Sequence, residues 1–203
     1  MTKENIPFFE TMTSAQIENF ITSVSQRDRE NIMEDEHGVI FNEVRKKLLR
    51  APADLMQYSI PYGTEIIVNG AFRDCKTLQT LVIPDTVVYI GQYAFEGCIS
   101  LMEIKMPGFM HKIDVGCFMG CTALYRIILP EGIKVIHKGT FEGCSRIKEI
   151  VIKGNIKTIE TKAFRNCSSL TSFIVPMSVK EIQEGAFSGC KKLQSSLVTH
   201  HNA

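Results

Sequence analysis

The sequence lacks several features that define large classes of protein, and each absence narrows the range of functions. Among its 203 residues, no apolar run reaches the length of about 18 residues that a membrane-spanning helix needs. The segment from Met1 to Phe9 has no charged stretch followed by an apolar one, as a signal peptide would have. We therefore expect no membrane insertion and a cytoplasmic location.

An excess of charge and the common catalytic motifs are also missing. The 23 basic and 22 acidic residues give a formal net charge of +1, too small to attract a phosphate backbone, so we expect no nucleic-acid partner. There is no Gly-rich phosphate loop, no Gly-x-Ser-x-Gly elbow and no His-Glu-x-x-His helix, which predicts that the protein is not an enzyme and has no cofactor. The acidic cluster from Glu34 to His37 fits a loop or helix end as well as a metal site, and His200-His201 alone is a weak metal site. No metal is expected.

The dominant feature that is present is a repeat of 23 residues. Six of the seven cysteines are spaced by this period, each preceded by phenylalanine and followed by leucine or isoleucine at fixed positions. They are Cys75, Cys98, Cys121, Cys144, Cys167 and Cys190. Units of this length cannot bury an apolar face alone and must stack on their neighbours, so the sequence predicts a solenoid.

The third unit illustrates the pattern: Cys117-Phe118-x-Gly120-Cys121-x-x-Leu124-x-x-Ile127-x-Leu129-Pro130. This pattern resembles the BspA-like family of leucine-rich repeats over about residues 55–197. The resemblance implies an α/β solenoid, a β-rich right-handed superhelix with a parallel concave sheet. Leu55, Tyr58 and Ile60 lie one period before their counterparts and form a degenerate first unit. We divide the chain into a helical cap at 1–52 and a solenoid of about six units at 53–203, the last of them incomplete.

The positions of proline and glycine in each unit predict its local structure. The apolar residues before the proline indicate a short strand, and the Ala-Phe-x-Gly-Cys segment indicates one tight turn in which glycine relieves a strained backbone angle. The repeated phenylalanines should form a continuous aromatic column. They are Phe72, Phe95, Phe118, Phe141, Phe164 and Phe187.

The cysteines are interpreted as buried thiols, because a small apolar side chain fits a tight interior. The seventh, Cys117, takes the position of alanine in most other units and is interpreted in the same way. Cys117 and Cys121 are half of a zinc site at most, since no second pair has the required spacing. Oxidation stays open, because rungs stacked about 5 Å apart would bring neighbouring cysteines near disulfide distance.

The first 50 residues do not repeat, and their apolar spacing predicts helices. A capping box at Thr13 precedes an amphipathic helix that contains Ile17 to Val24. A second helix is predicted around Arg27 to Met33, and a third from about Val39 to Leu49, ended by Pro52. These helices would protect one end of the solenoid, with a partner-binding helical domain as the alternative.

Function is expected on the outward rows, because the inward rows form the core. One outward row consists of Thr80, Glu103, Arg126, Glu149 and Ser172, and the next consists of Val82, Lys105, Ile128, Val151 and Ile174. Opposite charges in the first row can pair across strands. Three adjacent β-branched residues in the second reflect either strand propensity or an apolar strip for a partner. Tyr125 flanks the strip and joins the predicted site.

Two further surfaces have less specific patterns. A row of lysines, Lys134, Lys157 and Lys180, follows His111 and indicates either a solvated face or an acidic partner. The C-terminal rung, with Leu193 and Leu197, would offer an unpaired edge through which two copies could form a homodimer at residues 186–198.

The resemblance implies a protein-binding scaffold, and members of the family are often bacterial or protozoan surface proteins that contact host proteins. We therefore expect an unidentified protein partner. A self-assembling structural subunit is the alternative, and a cell-surface adhesin is a third possibility if a leader is missing from this chain.

Overall fold

The structure, a computed structural model, describes residues 22–193, and these form a solenoid of stacked turns, here called rungs. In chain order the elements are α1 (Gln26–Glu30), β1 (Ile32–Glu34), β2 (Ile40–Asn42), β3 (Lys47–Arg50), β4 (Gln57–Ser59), β5 (Ile66–Ile67), β6 (Thr80–Val82), β7 (Tyr89–Ile90), β8 (Glu103–Lys105), β9 (Lys112–Ile113), β10 (Arg126–Leu129), β11 (Val135–Ile136), β12 (Glu149–Ile152), β13 (Thr158–Ile159) and β14 (Glu181–Ile182). The predicted β-rich repeat architecture is confirmed.

Successive rungs contribute short strands to two faces. The first face consists of the parallel sheets β4-β6-β8 and β10-β12. The second face consists of β3-β5-β7-β9, extended by β2 and β1, and of β11-β13-β14. From β4 onward, paired residues are offset by one period, as in the pair Arg126↔Glu149, so equivalent residues stack in rows. Residues that lie one period apart in the sequence are therefore neighbours in the structure.

A third side of each rung is a turn, called here the corner, which is equivalent to residues 116–121 of the third unit. Corners are joined by backbone hydrogen bonds: the Phe95 amide donates to the Cys117 carbonyl and the Phe118 amide to the Thr140 carbonyl, both at 2.8 Å. These bonds recur from rung to rung, so the corner continues the ladder where no strand exists. The backbone amides of the corners are thereby paired from one described rung to the next.

The phenylalanines of the corners form the predicted column. The rings of Phe95 and Phe118 stack with their centroids 5.2 Å apart, and those of Phe118 and Phe141 with centroids 5.5 Å apart. At the far end Phe173 also joins the column, 5.0 Å from Phe187. The aromatic column therefore runs the length of the repeats and is confirmed.

The cysteines are buried free thiols, which confirms the interpretation as core residues. The six cysteines spaced by one period each donate from Sγ to a backbone carbonyl one rung earlier, as Cys121 does to Phe95 and Cys144 to Phe118, both at 3.1 Å. Burial raises the pKa of the Cys98 and Cys144 thiols to about 12. These two thiols therefore stay protonated near neutral pH and keep the S–H group that donates to the carbonyl one rung earlier.

The glycine of the corner occupies a left-handed backbone conformation. Gly120 has φ +72° and Gly143 has φ +78°. Where the glycine is replaced, Asp74 has φ 58° and Asn166 has φ 60°. Asp and Asn are the residues that tolerate this region best after glycine, so the predicted role of the glycine is confirmed.

The predicted helical cap is wrong between residues 39 and 49. This segment forms β2 and β3, an antiparallel pair in which Phe41 lies opposite Leu48. Both side chains are fully buried, whereas Val44 lies in the connecting turn and is 65% exposed. The apolar spacing that resembled a helical face is produced by cross-strand pairing, and Pro52 follows a strand rather than a helix.

The second predicted helix is shorter than expected. α1 ends at Glu30, and the end of the predicted segment is β1 instead. A capping box holds the start of α1, with Ser25 and Asp28 bonded to each other's backbone. Asp28 is buried and pairs with Lys47 at 2.9 Å. The first predicted helix, from Thr13, falls mainly outside the described residues.

Candidate functional site

The structure places the two predicted outward rows on the surface of the first face. Glu103, Arg126 and Glu149 are exposed in one row, and Thr80 is half-buried. In the other row Lys105 is exposed, and Val82 and Ile128 remain 38% and 37% exposed. The alternation of a strand explains this, because the residues between the rows, such as Ile127, point into the core.

The charged row neutralises itself at its centre, as predicted. Arg126 Nε donates to Glu149 Oε2 at 2.6 Å, across the pair β10-β12. Tyr125 and Lys148, which directly precede these two residues in the sequence, form a related contact: the Lys148 ammonium lies 5.1 Å from the centroid of the Tyr125 ring. Cation–π contacts of this kind are attractive even at exposed positions. The middle of the first face therefore carries paired charges beside an apolar strip.

The apolar strip consists of Ile128, Val151 and Ile174. Ile128 lies opposite Val151 in the register of β10 and β12. Ile174 is 61% exposed, and Ser172 is exposed as well, but residues 171–174 are not in a strand. The prediction that these two residues continue the sheet is therefore wrong, and the sheet part of the strip ends at β12.

The lysine row lies on the second face next to an aromatic cluster. The Lys157 amide donates to the Lys134 carbonyl at 2.7 Å and the Lys180 amide to the Lys157 carbonyl at 2.8 Å, so the three lysines stack on consecutive rungs. All three are exposed. One rung earlier, His111 stacks on Tyr89 with ring centroids 5.3 Å apart.

A groove that the sequence did not reveal lies at the N-terminal end of the first face, with a volume of about 760 Å³. One wall is the turn between β1 and β2, from Glu34 to His37, together with Arg45. The other is formed by β4 and by Thr80 and Val82 of β6. A sequence signal existed: Gly38 lies between two short apolar runs, a pattern typical of a hairpin.

The groove wall is fixed by Asp35. Its side chain accepts bonds from the amides of His37 and Val39, both at 2.9 Å, and from the Tyr58 hydroxyl. Burial opposes ionisation of Asp35, but these hydrogen bonds outweigh it and lower the pKa of the carboxyl. Burial and the Asp35 carboxylate raise the pKa of Tyr58 above its usual range. An ionised Asp35 thus locks the hairpin turn onto the end of the solenoid core.

The predicted self-association residues are only partly placed. Leu193 is half-buried at the end of the described chain, whereas Leu197 lies outside the described residues.

Within residues 22–193 no helix has the length and apolar character of a membrane crossing. In the same part of the chain, no group of three or more His, Cys, Asp or Glu side chains could hold a metal ion.

The repeated corner and the two strand faces define a solenoid of the leucine-rich repeat class. The model of the BspA type leucine rich repeat region matches residues 51–197 in 6 copies. The chain therefore belongs to the BspA-type leucine-rich repeat proteins, as the resemblance indicated. The sequence has no significant match among curated proteins.

The solved structures that are similar to this chain include the following three. A leucine-rich repeat protein from Eubacterium ventriosum has 20% identity and a TM-score of 0.61, with 78% of this chain and 50% of that one covered. The pneumococcal vaccine antigen PcpA has 22% identity and a TM-score of 0.59, with 84% and 46% covered. A leucine rich cell surface protein from Faecalibacterium prausnitzii has 28% identity and a TM-score of 0.52, with 80% and 36% covered. This chain spans half or less of each protein.

Proposed function

We propose that the protein is a non-enzymatic scaffold that binds a protein partner on the first face. The observation that carries the proposal is the apolar strip of Ile128, Val151 and Ile174, whose outward side chains are exposed or half-buried. Apolar strips on a soluble protein's surface mark interaction sites. Membership of a leucine-rich repeat family supports the proposal, because a solenoid offers an extended surface to a partner.

The groups around the strip favour recognition by shape and apolar contact. Tyr125, which is 50% exposed, supplies an aromatic anchor at the border. Arg126 and Glu149 pair with each other and so leave little net charge beside the strip. A partner would therefore place an apolar ridge along β10 and β12, with polar groups at its edges.

The test is affinity capture from a lysate of the source cell. The variant carries Ile128→Lys and Ile174→Lys, and its matched control carries Ile99→Lys and Met177→Lys, two exposed apolar residues outside the strip. We expect the wild type and the control to retain a partner that the strip variant loses, with all three proteins giving the same circular dichroism spectrum. Equal retention by the strip variant would refute the proposal.

Self-association is a second candidate, favoured by the last described strand. In the part of the chain that the structure describes, β14 is an edge strand, and its Ile182 is 40% exposed. Such an edge can pair with a second copy. Sedimentation of wild type and of Leu197→Asp would test it: a dimer that is lost in the variant supports this function, and a wild-type monomer at high concentration excludes it.

A cell-surface location is the alternative that one comparison favours. The similar protein from Faecalibacterium prausnitzii is described as a leucine rich cell surface protein. Labelling of intact source cells with a membrane-impermeant amine reagent would distinguish a cell-surface from a cytoplasmic location, because only a surface protein would be modified on its exposed lysines.

A further inference from the structure

The two faces of the solenoid begin differently at the N-terminal end. On the second face, β3 is followed outward by the antiparallel strands β2 and β1, so two more strands cover its edge. On the first face, β4 pairs with β6 and with no other strand among the described residues. Within residues 22–193 the first face therefore starts with an open edge.

The backbone groups at this edge can be identified. The Ile60 amide donates to the Val82 carbonyl at 3.0 Å, so Ile60 directs its backbone groups towards β6. Alternate residues of a strand in a parallel sheet direct theirs to opposite sides. Gln57 and Ser59 therefore direct their N–H and C=O groups to the open edge, where they can pair with an added strand.

The groove described above adjoins this edge. Its volume of about 760 Å³ is in the range of a ligand-binding cleft, and Gln57, Ser59 and Val82 all line it. The hairpin turn from Glu34 to His37 stands on the other side, held by the bond from Tyr58 to Asp35. The space is therefore bounded by a strand edge and a fixed wall, the shape that an extended segment requires.

The charges of the wall select the kind of segment. Glu34 and Glu36 are exposed, and the Glu36 side chain is 88% accessible. Arg45 is the one Lys or Arg side chain that lines the groove among the described residues. The lining thus carries three carboxylates against one guanidinium, which complements lysine or arginine side chains.

We propose that the open edge of β4 binds an extended segment of a partner protein that carries lysine or arginine side chains, and that this segment pairs with Gln57 and Ser59 as an additional strand. Strand addition at an exposed edge is a general mode of peptide recognition. The site goes beyond the function proposed above, because it uses backbone groups and acidic side chains at the N-terminal end instead of the apolar strip on β10 and β12.

The binding test uses a fluorescein-labelled peptide of alternating threonine and lysine, about eight residues long, which is the length of an ordinary strand. Its control peptide has glutamate in place of lysine. Fluorescence anisotropy with the full chain should show binding of the lysine peptide only. Reversing charge with Glu34→Lys and Glu36→Lys should weaken binding by about tenfold or more. Glu181→Lys with Glu184→Lys makes the same change in net charge at the other end and should have little effect.

A proline at Ser59 tests the backbone pairing. Ser59→Pro removes the N–H that faces the open edge and leaves the bonds between β4 and β6, and proline is tolerated at such edge positions. We expect it to weaken peptide binding by about tenfold, as one lost backbone bond with its local distortion would. Ser172→Pro, at an exposed position of the neighbouring outward row, is the control and should bind like wild type.

Hydrogen exchange provides the decisive observation. Peptide binding should slow exchange of the Gln57 and Ser59 amides and leave that of β10 and β12 unchanged. The proposal is overturned if the two peptides bind alike, if neither binds, or if binding leaves these amides unprotected. It is also overturned if the two amides are already protected in the free chain, because another part of the chain or a second copy then occupies the edge.

Discussion

The corner and the first face use the same 23-residue period in opposite ways. At the corner the same residue types recur on every rung, as in Phe95, Phe118 and Phe141. On the outward row of the first face the side chains change from Glu103 to Arg126 on successive rungs. The repeat is preserved where each rung must satisfy the backbone of the next, and it is lost where side chains face solvent.

The corner is constrained because one carbonyl serves two rungs. The Phe118 carbonyl accepts the Cys121 amide of its own rung and the Cys144 thiol of the next, both at 3.1 Å. A replacement at any of these positions disturbs buried bonds as well as packing. An outward residue of β10 or β12 has no comparable obligation, so the first face is free to specialise.

The largest effect on stability is expected from truncation of one side chain in the aromatic column. Phe118→Ala should lower the free energy of unfolding by about 3–5 kcal/mol, because a fully buried ring stacked on two others is deleted. Tyr125→Ala on the first face should cost less than about 1 kcal/mol. Urea unfolding followed by circular dichroism measures both. Similar losses for the two variants would contradict the distinction between corner and face.

A smaller effect is expected from the left-handed glycine of the corner. Gly143→Ala should cost about 1–2 kcal/mol through its backbone conformation, since φ is +78°. A Cβ at this position would lie 3.7 Å from the nearest atoms of Gly120, which is ordinary contact, so a clash does not contribute. Gly143→Asn should cost less, because Asn166 already occupies the equivalent position at φ 60°. The same urea titration applies, and an asparagine variant less stable than the alanine variant would refute the conformational explanation.

The smallest effect is expected from the ion pair of the first face. Arg126→Gln and Glu149→Gln, measured singly and together, should give a coupling energy below about 1 kcal/mol, because both side chains are about half exposed, at 48% and 54%. A double-mutant cycle by thermal unfolding provides the number. A coupling as large as the loss in Phe118→Ala would mean that the face, too, determines the stability of the solenoid.

The repeating part of the fold could be predicted from the sequence, and the start of the chain could not. Period, core rows, aromatic column and buried thiols all follow from residues that recur at fixed spacing. The segment around Phe41 and Leu48 occurs once, so its spacing had to be interpreted alone, and cross-strand partners seven residues apart imitate the face of a helix. Repetition supplies the redundancy that a single apolar pattern lacks.

Among the candidate surfaces, too, those formed by the repeat could be predicted from the sequence and the others could not. The outward rows around Ile128 could be listed from the period, because rows follow from stacking. The groove beside β4 could not, because it depends on where the turn at Asp35 lies relative to Tyr58, residues from two segments that share no repeat. The sequence did single out the acidic residues of the turn, but it gave no indication of the strand edge opposite them.

The bond between each thiol and the preceding phenylalanine carbonyl also bears on how such a chain can change in length. Every corner presents to the next rung the same acceptor that it found on the previous one, as Cys121, Cys144 and Cys167 illustrate. Removing or duplicating one whole period would therefore join surfaces that already match, whereas an insertion of any other length would leave donors and acceptors out of step. A gene that grows by copying complete units would therefore preserve these bonds, with the corner as the connector that makes the copies interchangeable.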